Sequence, residues 1–458
     1  MSAVFHFVPS WMPGRIHRRG RAALVGLVLA AAAAPISGQA LPAAEASPIS
    51  TGFSLPTTSG SLTYALSASE TLNWGFYSDS GHSAATNVSG DLGYISSSKR
   101  DPFSALLAAG HSFGTSQQPS YDFVSLGLSQ VIAVHRWSFV LSDSTSYLPQ
   151  TATNGFAGVP GLGDLGVSAI SLGLIPTSVL APPSQGILSN YANRVDNTVS
   201  GSLQRDFTAK TGLHGSASYS ISRFTQHTGN PLVDGLDSDG ISYGGGMNHM
   251  YSQRNVLGGN YTYTEYSFEQ ANTGIPAPDF KTQTVSANYL HQFTRRFQLM
   301  AAAGPQWTTV DLGTRTTSLD TFVNVSAAYE GEYTRSSLSY VRSTNSGYGV
   351  IAGALSNSVN YTASRLLGKL WAASASASYS QSTSLPSRFL PSYKLHTAVV
   401  AGQVSRALPR SLSAFASYSL ESQSNAGLLT VLSAFSGHYQ TLGFGITYAP
   451  RAKHIGGH

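Results

Sequence analysis

The chain has 458 residues, of which 41% are hydrophobic and only 10% are charged. An average soluble domain carries about 25% charged residues, so the composition argues against a soluble globular protein of this size. Aromatic residues make up 10% of the chain, which argues against intrinsic disorder. Four arginines lie in residues 1–40 with no acid among them, and the nearly neutral remainder indicates that nucleic acid is not a partner. The absence of Cys removes disulfides and thiolate metal ligands.

Residues 1–40 are predicted to be a secretory signal peptide. Arg15–Arg21 form a cationic region, and Ala22–Pro35 form an apolar run that is too short to span a bilayer. Small residues at Gly38 and Ala40 indicate cleavage after Ala40. An uncleaved N-terminal anchor is the alternative.

Beyond the leader, the sequence alternates between apolar and small polar residues, which is typical of β-strands with two unlike faces. Leu213–Ser222 and Val323–Tyr329 follow this pattern, and in Leu370–Ser380 Trp, Ala and Tyr alternate with Ser. Leu412–Leu420 also alternates, with Phe415 as an apolar exception on the polar side. The longer segments run to about ten residues, whereas strands in soluble sheets average about five or six.

A bilayer explains this strand length, because a tilted strand needs roughly nine to eleven residues to cross the hydrocarbon layer. Trp371 and Tyr379 bracket small apolar residues on one face, as expected of rings at the two membrane interfaces. Backbone N–H and C=O groups in hydrocarbon must be paired within the protein, so strands can cross only as a closed sheet. The sequence therefore predicts an all-β fold, a transmembrane antiparallel up-and-down β-barrel.

Short connections rich in charged residues, such as Lys99–Pro102 and Arg295-Arg296, alternate with longer loops at a spacing of roughly forty residues. This spacing predicts about 16–18 strands, with turns and both chain termini in the periplasm and loops outside. The barrel is expected to occupy residues 61–449. It would follow a periplasmic N-terminal segment at residues 41–60 and precede a C-terminal tail at residues 450–458.

Three other architectures compete with this interpretation. A β-propeller blade repeats at about 40 to 45 residues, but it needs four short strands where this sequence has two long ones. A secreted β-solenoid is the second. An autotransporter, with a passenger before a C-terminal barrel, fits less well because the alternation already begins near Leu62.

Gly110–Gly114 matches the G-x-S-x-G nucleophile motif, with Ser112 in the central position. That motif requires a strand that turns into a helix, and no helix pattern follows here. The simpler interpretation is that the two glycines, Gly110 and Gly114, lie where a strand leads into a turn. A barrel hydrolase that uses His111 or His214 with Ser112 is the third functional hypothesis. No metal or cofactor motif occurs in the sequence, so neither enzyme activity nor a cofactor is predicted.

Residues 151–190 interrupt the regular spacing as one long connection, the third external loop by the turn count. They are mostly apolar, Gly or Pro, and Asp164 is their only charged residue. A barrel of this size leaves an aqueous channel unless something fills it, so we expect residues 156–180 to fold inward and narrow the channel. The candidate constriction residues are Phe156, Asp164, Leu165 and Leu174. An outward flap that contacts polymer or neighbouring proteins is the competing interpretation.

If the apolar positions face lipid, the polar positions of the same strands line the lumen. The candidate pore-lining residues are His214, Ser216, Ser218, Ser220, Asn324, Ser326, Ser374, Ser376 and Ser378. Hydroxyls and amides can replace water around an uncharged polar solute, but they discriminate poorly between ions of opposite sign. Small polar residues that merely tolerate water are the alternative. Arg223 and Arg342 lie toward predicted strand ends, where they are expected to anchor the membrane interface.

The last predicted strand, near His438–Tyr448, carries a polar residue, then a glycine, then two apolar or aromatic residues at alternate positions. These residues are Thr441, Gly443, Ile446 and Tyr448. They resemble the assembly signal of Gram-negative outer-membrane β-barrels, except that this chain continues beyond the aromatic residue. The resemblance implies an outer-membrane location, contact with outer-membrane lipid, and insertion by the barrel-assembly machinery.

The Ser-rich strands and the segment Gly158–Asp164 resemble large porin-like barrels, some of which occur with exopolysaccharide secretion systems. General porins fold a long third loop into the barrel, and many are homotrimers, so the resemblance implies both features here. We expect a passive channel for small polar solutes, including saccharides. The alternative is an occluded structural or export-partner barrel that a periplasmic export lipoprotein opens.

Overall fold

The computed structural model describes residues 60–75, 83–96, 101–114, 120–150, 192–225, 237–269, 279–311, 315–348, 351–385, 394–426, 436–451 and 453–455. The expected signal peptide, the segment before residue 60 and the long loop at residues 151–190 lie outside these residues. Leader cleavage and the inward position of that loop stay predictions. In the part of the chain that the structure describes, no helix is long and apolar enough to cross a membrane.

The alternating pattern produces eighteen long strands and one short strand in the described residues. They are β1 (Gly60–Gly75), β2 (Ser83–Ser96), β3 (Phe103–Phe113), β4 (Tyr121–Val134), β5 (Trp137–Gln150), β6 (Ala192–Asp206), β7 (Thr211–Phe224), β8 (Asp237–Ser252), β9 (Asn255–Glu269), β10 (Asp279–Gln292), β11 (Phe297–Asp311), β12 (Arg315–Glu330), β13 (Thr334–Tyr348), β14 (Ile351–Leu367), β15 (Trp371–Ser384), β16 (Lys394–Ala407), β17 (Leu412–Ala426), β18 (Gly437–Tyr448) and β19 (Lys453–Ile455).

Each long strand pairs antiparallel with the next one along the chain, and β18 pairs back onto β1. The closing ladder runs from Leu66 opposite Tyr448 to Gly75 opposite Tyr439. The short β19 lengthens this seam by pairing with β1 at Gly60–Leu62. The predicted all-β, antiparallel up-and-down barrel of 16–18 strands is confirmed, with eighteen strands in the wall. The periplasmic position of the termini stays a prediction.

The wall has an apolar outer face and a polar inner face, because side chains alternate along each strand. Leu66, Val400 and Ile446 point outward and are 58%, 53% and 53% exposed. Ser67 and Ser69, which alternate with Leu66, point inward and are buried. Large hydrophobic side chains that are this exposed all around a wall are stable only in contact with lipid. The barrel is therefore built to span a membrane.

Large rings on the inner face are accommodated by glycine on the neighbouring strand. Phe415, the predicted exception to the alternation, faces inward and lies over Gly445, where a Cβ would come within 2.8 Å of Phe415 Cζ. Phe123 lies over Gly110 in the same way, and a Cβ there would come within 2.3 Å of Phe123 Cζ. Glycine in these positions lets a bulky side chain lie close to the wall.

The end of the barrel with short connections, such as His135-Arg136, is called the turn end. Outward-facing aromatic rings at this end contact cationic side chains. The Arg205 guanidinium carbon lies 4.7 Å from the Trp137 ring centre, and that of Arg406 lies 5.3 Å from the Trp371 ring centre. Aromatic rings paired with cationic groups are typical anchors at a membrane interface.

At the opposite end, the loop end, outward-facing side chains form ion pairs. The pairs are His111–Asp122 at 2.7 Å, Arg223–Asp239 at 2.5 Å and Lys281–Glu265 at 2.8 Å. The wall strands are 11 to 17 residues long, and all but the shortest, β3, exceed the roughly nine to eleven residues needed to cross the hydrocarbon layer. Charged side chains near strand ends are expected to lie outside the hydrocarbon layer, which is consistent with the position of these ion pairs at the loop end.

The closing seam can be tested with introduced cysteines, because the chain has none of its own. Ser67 and Thr447 face each other across β1 and β18, and their hydroxyl oxygens lie 2.7 Å apart. We expect Ser67→Cys with Thr447→Cys to form a disulfide on mild oxidation, because opposed strand positions bring Cβ atoms within about 5.5 Å. The measurement is the mobility of the boiled, non-reduced protein on a gel. Ser67→Cys with Thr441→Cys should stay reduced, and equal cross-linking of both pairs would contradict the closing register.

Candidate functional site: the barrel interior

The structure places all nine predicted pore-lining residues on the inner face of the wall. His214, Ser216, Ser218 and Ser220 lie on β7, Asn324 and Ser326 lie on β12, and Ser374, Ser376 and Ser378 lie on β15. Strands β7 and β15 are eight strands apart in a wall of eighteen, so these two groups lie on opposite sides of the lumen. Contact with a solute stays a prediction for each residue.

Charged side chains on the inner wall are mostly paired or buried. Arg194 and Asp196 form an ion pair at 2.6 Å, and Arg335 and Glu330 form one at 3.4 Å. Glu421 is only 4% exposed. The described strands thus present no ring of one charge sign to the lumen, and such an interior filters ions weakly by sign. Among the described residues, no three His, Asp or Glu side chains are placed to hold a metal ion.

Part of the chain folds into the barrel at the loop end. The distal parts of β13 and β14, residues 343–348 and 351–354, form a hairpin that we call the inner hairpin. In a wall strand, alternate residues are exposed to the outside. The four consecutive residues 343–346 are instead all buried, so protein lies on both faces of this segment.

The inner hairpin is hydrogen-bonded to the inner face of β11, which is bonded in turn to β10 through Gln306. The Thr344 and Thr308 hydroxyl oxygens lie 3.2 Å apart. The Thr344 backbone N–H donates to Gln306 Oε1 at 2.9 Å, and Gln306 Nε2 donates to Thr284 Oγ1 at 3.1 Å. Because Gln306 and Thr308 both face the lumen, the hairpin lies inside the wall.

An apolar cluster on the inner face of the wall packs against the inner hairpin. Its members Tyr266, Phe280, Val310 and Leu385 are all buried. A Cβ at Gly353 of the hairpin would come within 2.6 Å of Leu385 Cδ1 and 2.8 Å of Phe280 Cε1. Gly353 has a φ of 77°, a left-handed conformation that favours glycine. Phe280 is on β10 and Leu385 follows β15, five strands further around, so the cluster and the hairpin cover part of the loop end of the lumen.

The wall forks where the inner hairpin leaves it. Strand β12 pairs with β13 only over Val323–Glu330, and residues 315–322 pair with β11 alone among the described strands. Arg342 lies at the fork, where its Nη1 donates to Asn357 Oδ1 at 2.9 Å and its Nη2 lies 3.7 Å from Asp320. Arg342 forms the last pair of the β12–β13 ladder, opposite Val323, and β13 continues inward beyond it to Tyr348. Its expected role as an anchor at the membrane interface stays a prediction.

The expected constriction residues Phe156, Asp164, Leu165 and Leu174 lie outside the described residues, and their inward position stays a prediction. The inner hairpin was not anticipated from the sequence. The sequence feature that could have indicated it is the run Ser343–Gly347, where small polar residues interrupt the apolar alternation. Such a run offers no apolar face to lipid, which is compatible with a segment inside the barrel.

The G-x-S-x-G motif does not form a catalytic arrangement in the described residues. Ser112 points inward and is fully buried, and its hydroxyl has no hydrogen-bond partner among the described residues. His111 points outward, where its Nδ1 lies 2.7 Å from Asp122 Oδ1. His214 lies on β7, four strands away from β3. Gly110 of the motif makes room for the Phe123 ring, which is a structural role.

The candidate assembly residues all lie on the closing strand β18. Thr441 and Gly443 point inward, whereas Ile446 and Tyr448 point outward. The Tyr448 ring centre lies 6.5 Å from that of Tyr64 on β1, across the seam. A role in assembly stays a prediction.

No family model matches this sequence, and no curated protein matches it. The chain is similar to the solved structure of Pseudomonas aeruginosa OpdQ, with 10% identity and a TM-score of 0.39 over 85% of this chain and 98% of that one. It is also similar to P. aeruginosa OccK2 (OpdF) in complex with glucuronate, with 9% identity and a TM-score of 0.40 over 85% of this chain and 96% of that one. The siderophore receptor PirA from P. aeruginosa matches with 9% identity and a TM-score of 0.39 over 85% of this chain and 80% of that one.

Gly353 and Gly368 form a matched pair for testing how the inner hairpin packs. Their φ angles are 77° and 81°, but a Cβ at Gly368 would meet nothing within 4 Å. We expect Gly353→Ala to destabilise the barrel by about 1–3 kcal/mol more than Gly368→Ala, because only the first alanine clashes with neighbouring side chains. Both variants share the cost of a left-handed alanine. Thermal unfolding in detergent micelles measures the difference, and equal effects would contradict packing of Gly353 against the apolar cluster.

Proposed function

We propose that this protein is an outer-membrane channel for small, uncharged polar solutes. The observation that carries the proposal is the closed eighteen-strand wall, with its apolar outer face and its inner face of hydroxyl and amide groups. A barrel of this strand number encloses water wherever nothing fills it. Hydroxyl and amide groups can replace the water around a solute that carries no charge.

The leader and the lipid-facing barrel together support the outer membrane of a Gram-negative bacterium as the location. A secretory leader at residues 1–40 would export the chain, and outer-membrane barrels have short periplasmic turns and longer external loops. In this proposal the turn end faces the periplasm and the loop end faces outward. Insertion by the barrel-assembly machinery would use β18, which carries the candidate assembly residues.

In this proposal the narrow part of the channel lies at the loop end, where the inner hairpin covers part of the lumen. Inward-facing residues near this end, such as Ser222, Ser242 and Thr264, are buried. Inward-facing residues nearer the turn end, such as His214 and Asn260, are partly exposed. On the β7 to β9 side of the wall, the interior is therefore tightest at the external mouth and wider toward the periplasm, and we call this wider space the vestibule.

The same burial at the loop end favours a second candidate, an occluded barrel that acts with a partner in exopolysaccharide export. Such a barrel would conduct no ions when it is alone in a membrane. Conductance of the purified protein in a planar bilayer distinguishes it from the channel, which conducts without a partner.

We expect the channel to show a K⁺/Cl⁻ permeability ratio within about threefold of unity, because its inner wall has no ring of one charge sign. The measurement is the reversal potential in a KCl gradient. Arg194→Ala leaves Asp196 unpaired on the inner wall and should shift selectivity toward cations, whereas Arg223→Ala removes the outward partner of Asp239 and should not. Strong selectivity in the unmodified protein, or an equal shift in both variants, would count against the proposed lumen.

A further inference from the structure

Four polar side chains from consecutive strands form a closed ring of hydrogen bonds on the inner wall. They are His214 on β7, Asn248 on β8, Asn260 on β9 and Asn288 on β10. His214 Nε2 lies 2.6 Å from Asn260 Oδ1, and Asn260 Nδ2 donates to Asn288 Oδ1 at 3.4 Å. Asn288 Nδ2 donates to Asn248 Oδ1 at 3.0 Å, and Asn248 Nδ2 lies 3.3 Å from His214 Nδ1. We call this arrangement the amide ring.

Two glycines allow the amide ring to lie flat against the wall. On the ladder between β8 and β9, Gly246 is directly opposite Asn260, and Gly258 is directly opposite Asn248. A Cβ at Gly246 would come within 2.0 Å of Asn260 Oδ1, and a Cβ at Gly258 would come within 2.1 Å of Asn248 Oδ1. Each asparagine therefore fills the space that a side chain on the neighbouring strand would need.

The hydrogen bonds of the amide ring all run in one direction. Because Asn248 Nδ2 is a donor, His214 Nδ1 must accept from it. The proton of a neutral imidazole is then on His214 Nε2, which donates to Asn260 Oδ1. Each member of the ring donates once and accepts once, so the ring is complete without any formal charge.

The ring leaves hydrogen-bonding capacity for a solute. Each asparagine uses one of its two N–H groups and one oxygen lone pair within the ring, so three donors and three acceptors remain. All four residues face the lumen and are half-buried, so part of each side chain is exposed on the inner face. A hydroxyl group both donates and accepts, so neighbouring hydroxyls match such an array. A carboxylate matches only the donors, and an ammonium group matches only the acceptors.

We propose that the amide ring is the binding site for a neutral polyhydroxy solute, such as a monosaccharide, in the vestibule. The inference rests on the proposed channel function and adds to it the place and the chemistry of solute recognition. Among the candidate pore-lining residues, His214 alone belongs to this site. The asparagines complete it through the register of β7 to β10.

The proposal is tested by glucose block of the KCl current through the purified protein in planar bilayers, with glucuronate as the charged comparator. We expect saturable block by glucose at lower concentrations than by glucuronate. Asn260→Ala and Asn288→Ala each remove two ring bonds, and each should raise the half-blocking glucose concentration at least about fivefold, the equivalent of one net hydrogen bond. Asn360→Ala is the matched control, because Asn360 faces inward on β14 outside the ring, and it should leave glucose block unchanged.

The outcomes separate the site from the channel. An unmodified protein that passes no KCl current would contradict the channel and the site together. A conducting protein that glucose does not block, or one in which Asn360→Ala weakens block as much as Asn260→Ala, would overturn the amide ring as the site and leave the channel standing. KCl conductance of each variant reports that its barrel has formed. If either Asn260→Ala or Asn288→Ala fails to fold, glucose block of the other variant tests the site.

Discussion

Backbone hydrogen bonds that must be satisfied in hydrocarbon are the constraint on which this structure depends. A lipid-exposed strand has no water to pair with its N–H and C=O groups, so the sheet has to close on itself. The pairing of β18 with β1 meets that requirement. Once the wall supplies its own backbone partners, the outward side chains are free to be apolar and the inward ones to be small and polar. This division accounts for a chain with few charges and many Ser, Gly and Ala residues.

The same constraint explains where the wall can open. Closure is required only within the hydrocarbon layer, because water can pair with backbone groups beyond it. The fork between β12 and β13 lies next to Tyr340 and Arg342, an aromatic and a cationic residue of the kind found at a membrane interface. From there the inner hairpin turns into the lumen, and residues 315–322 keep a strand partner on one side only among the described strands. The barrel thus narrows its interior with its own wall strands.

Glycine on the inner wall has a recurring role. Phe415 lies over Gly445, Phe123 lies over Gly110, and Asn260 lies over Gly246. In each case a larger side chain lies across the bare backbone of the next strand instead of projecting into the lumen. This arrangement keeps space open in the interior and holds polar groups such as the amide ring in fixed positions. Rigid placement of hydrogen-bonding groups lowers the entropic cost of binding a solute.

The sequence by itself determined the barrel, the approximate strand number and the face on which each predicted lining residue lies. These are local properties, because the side of a strand on which a residue lies follows from its position along that strand. Only the tertiary structure revealed the inner hairpin, since the run Ser343–Gly347 is equally compatible with a loop. It also decided the amide ring, because a glycine opposite an asparagine is a matter of register between two strands. Register depends on pairs of strands, and no single strand encodes it.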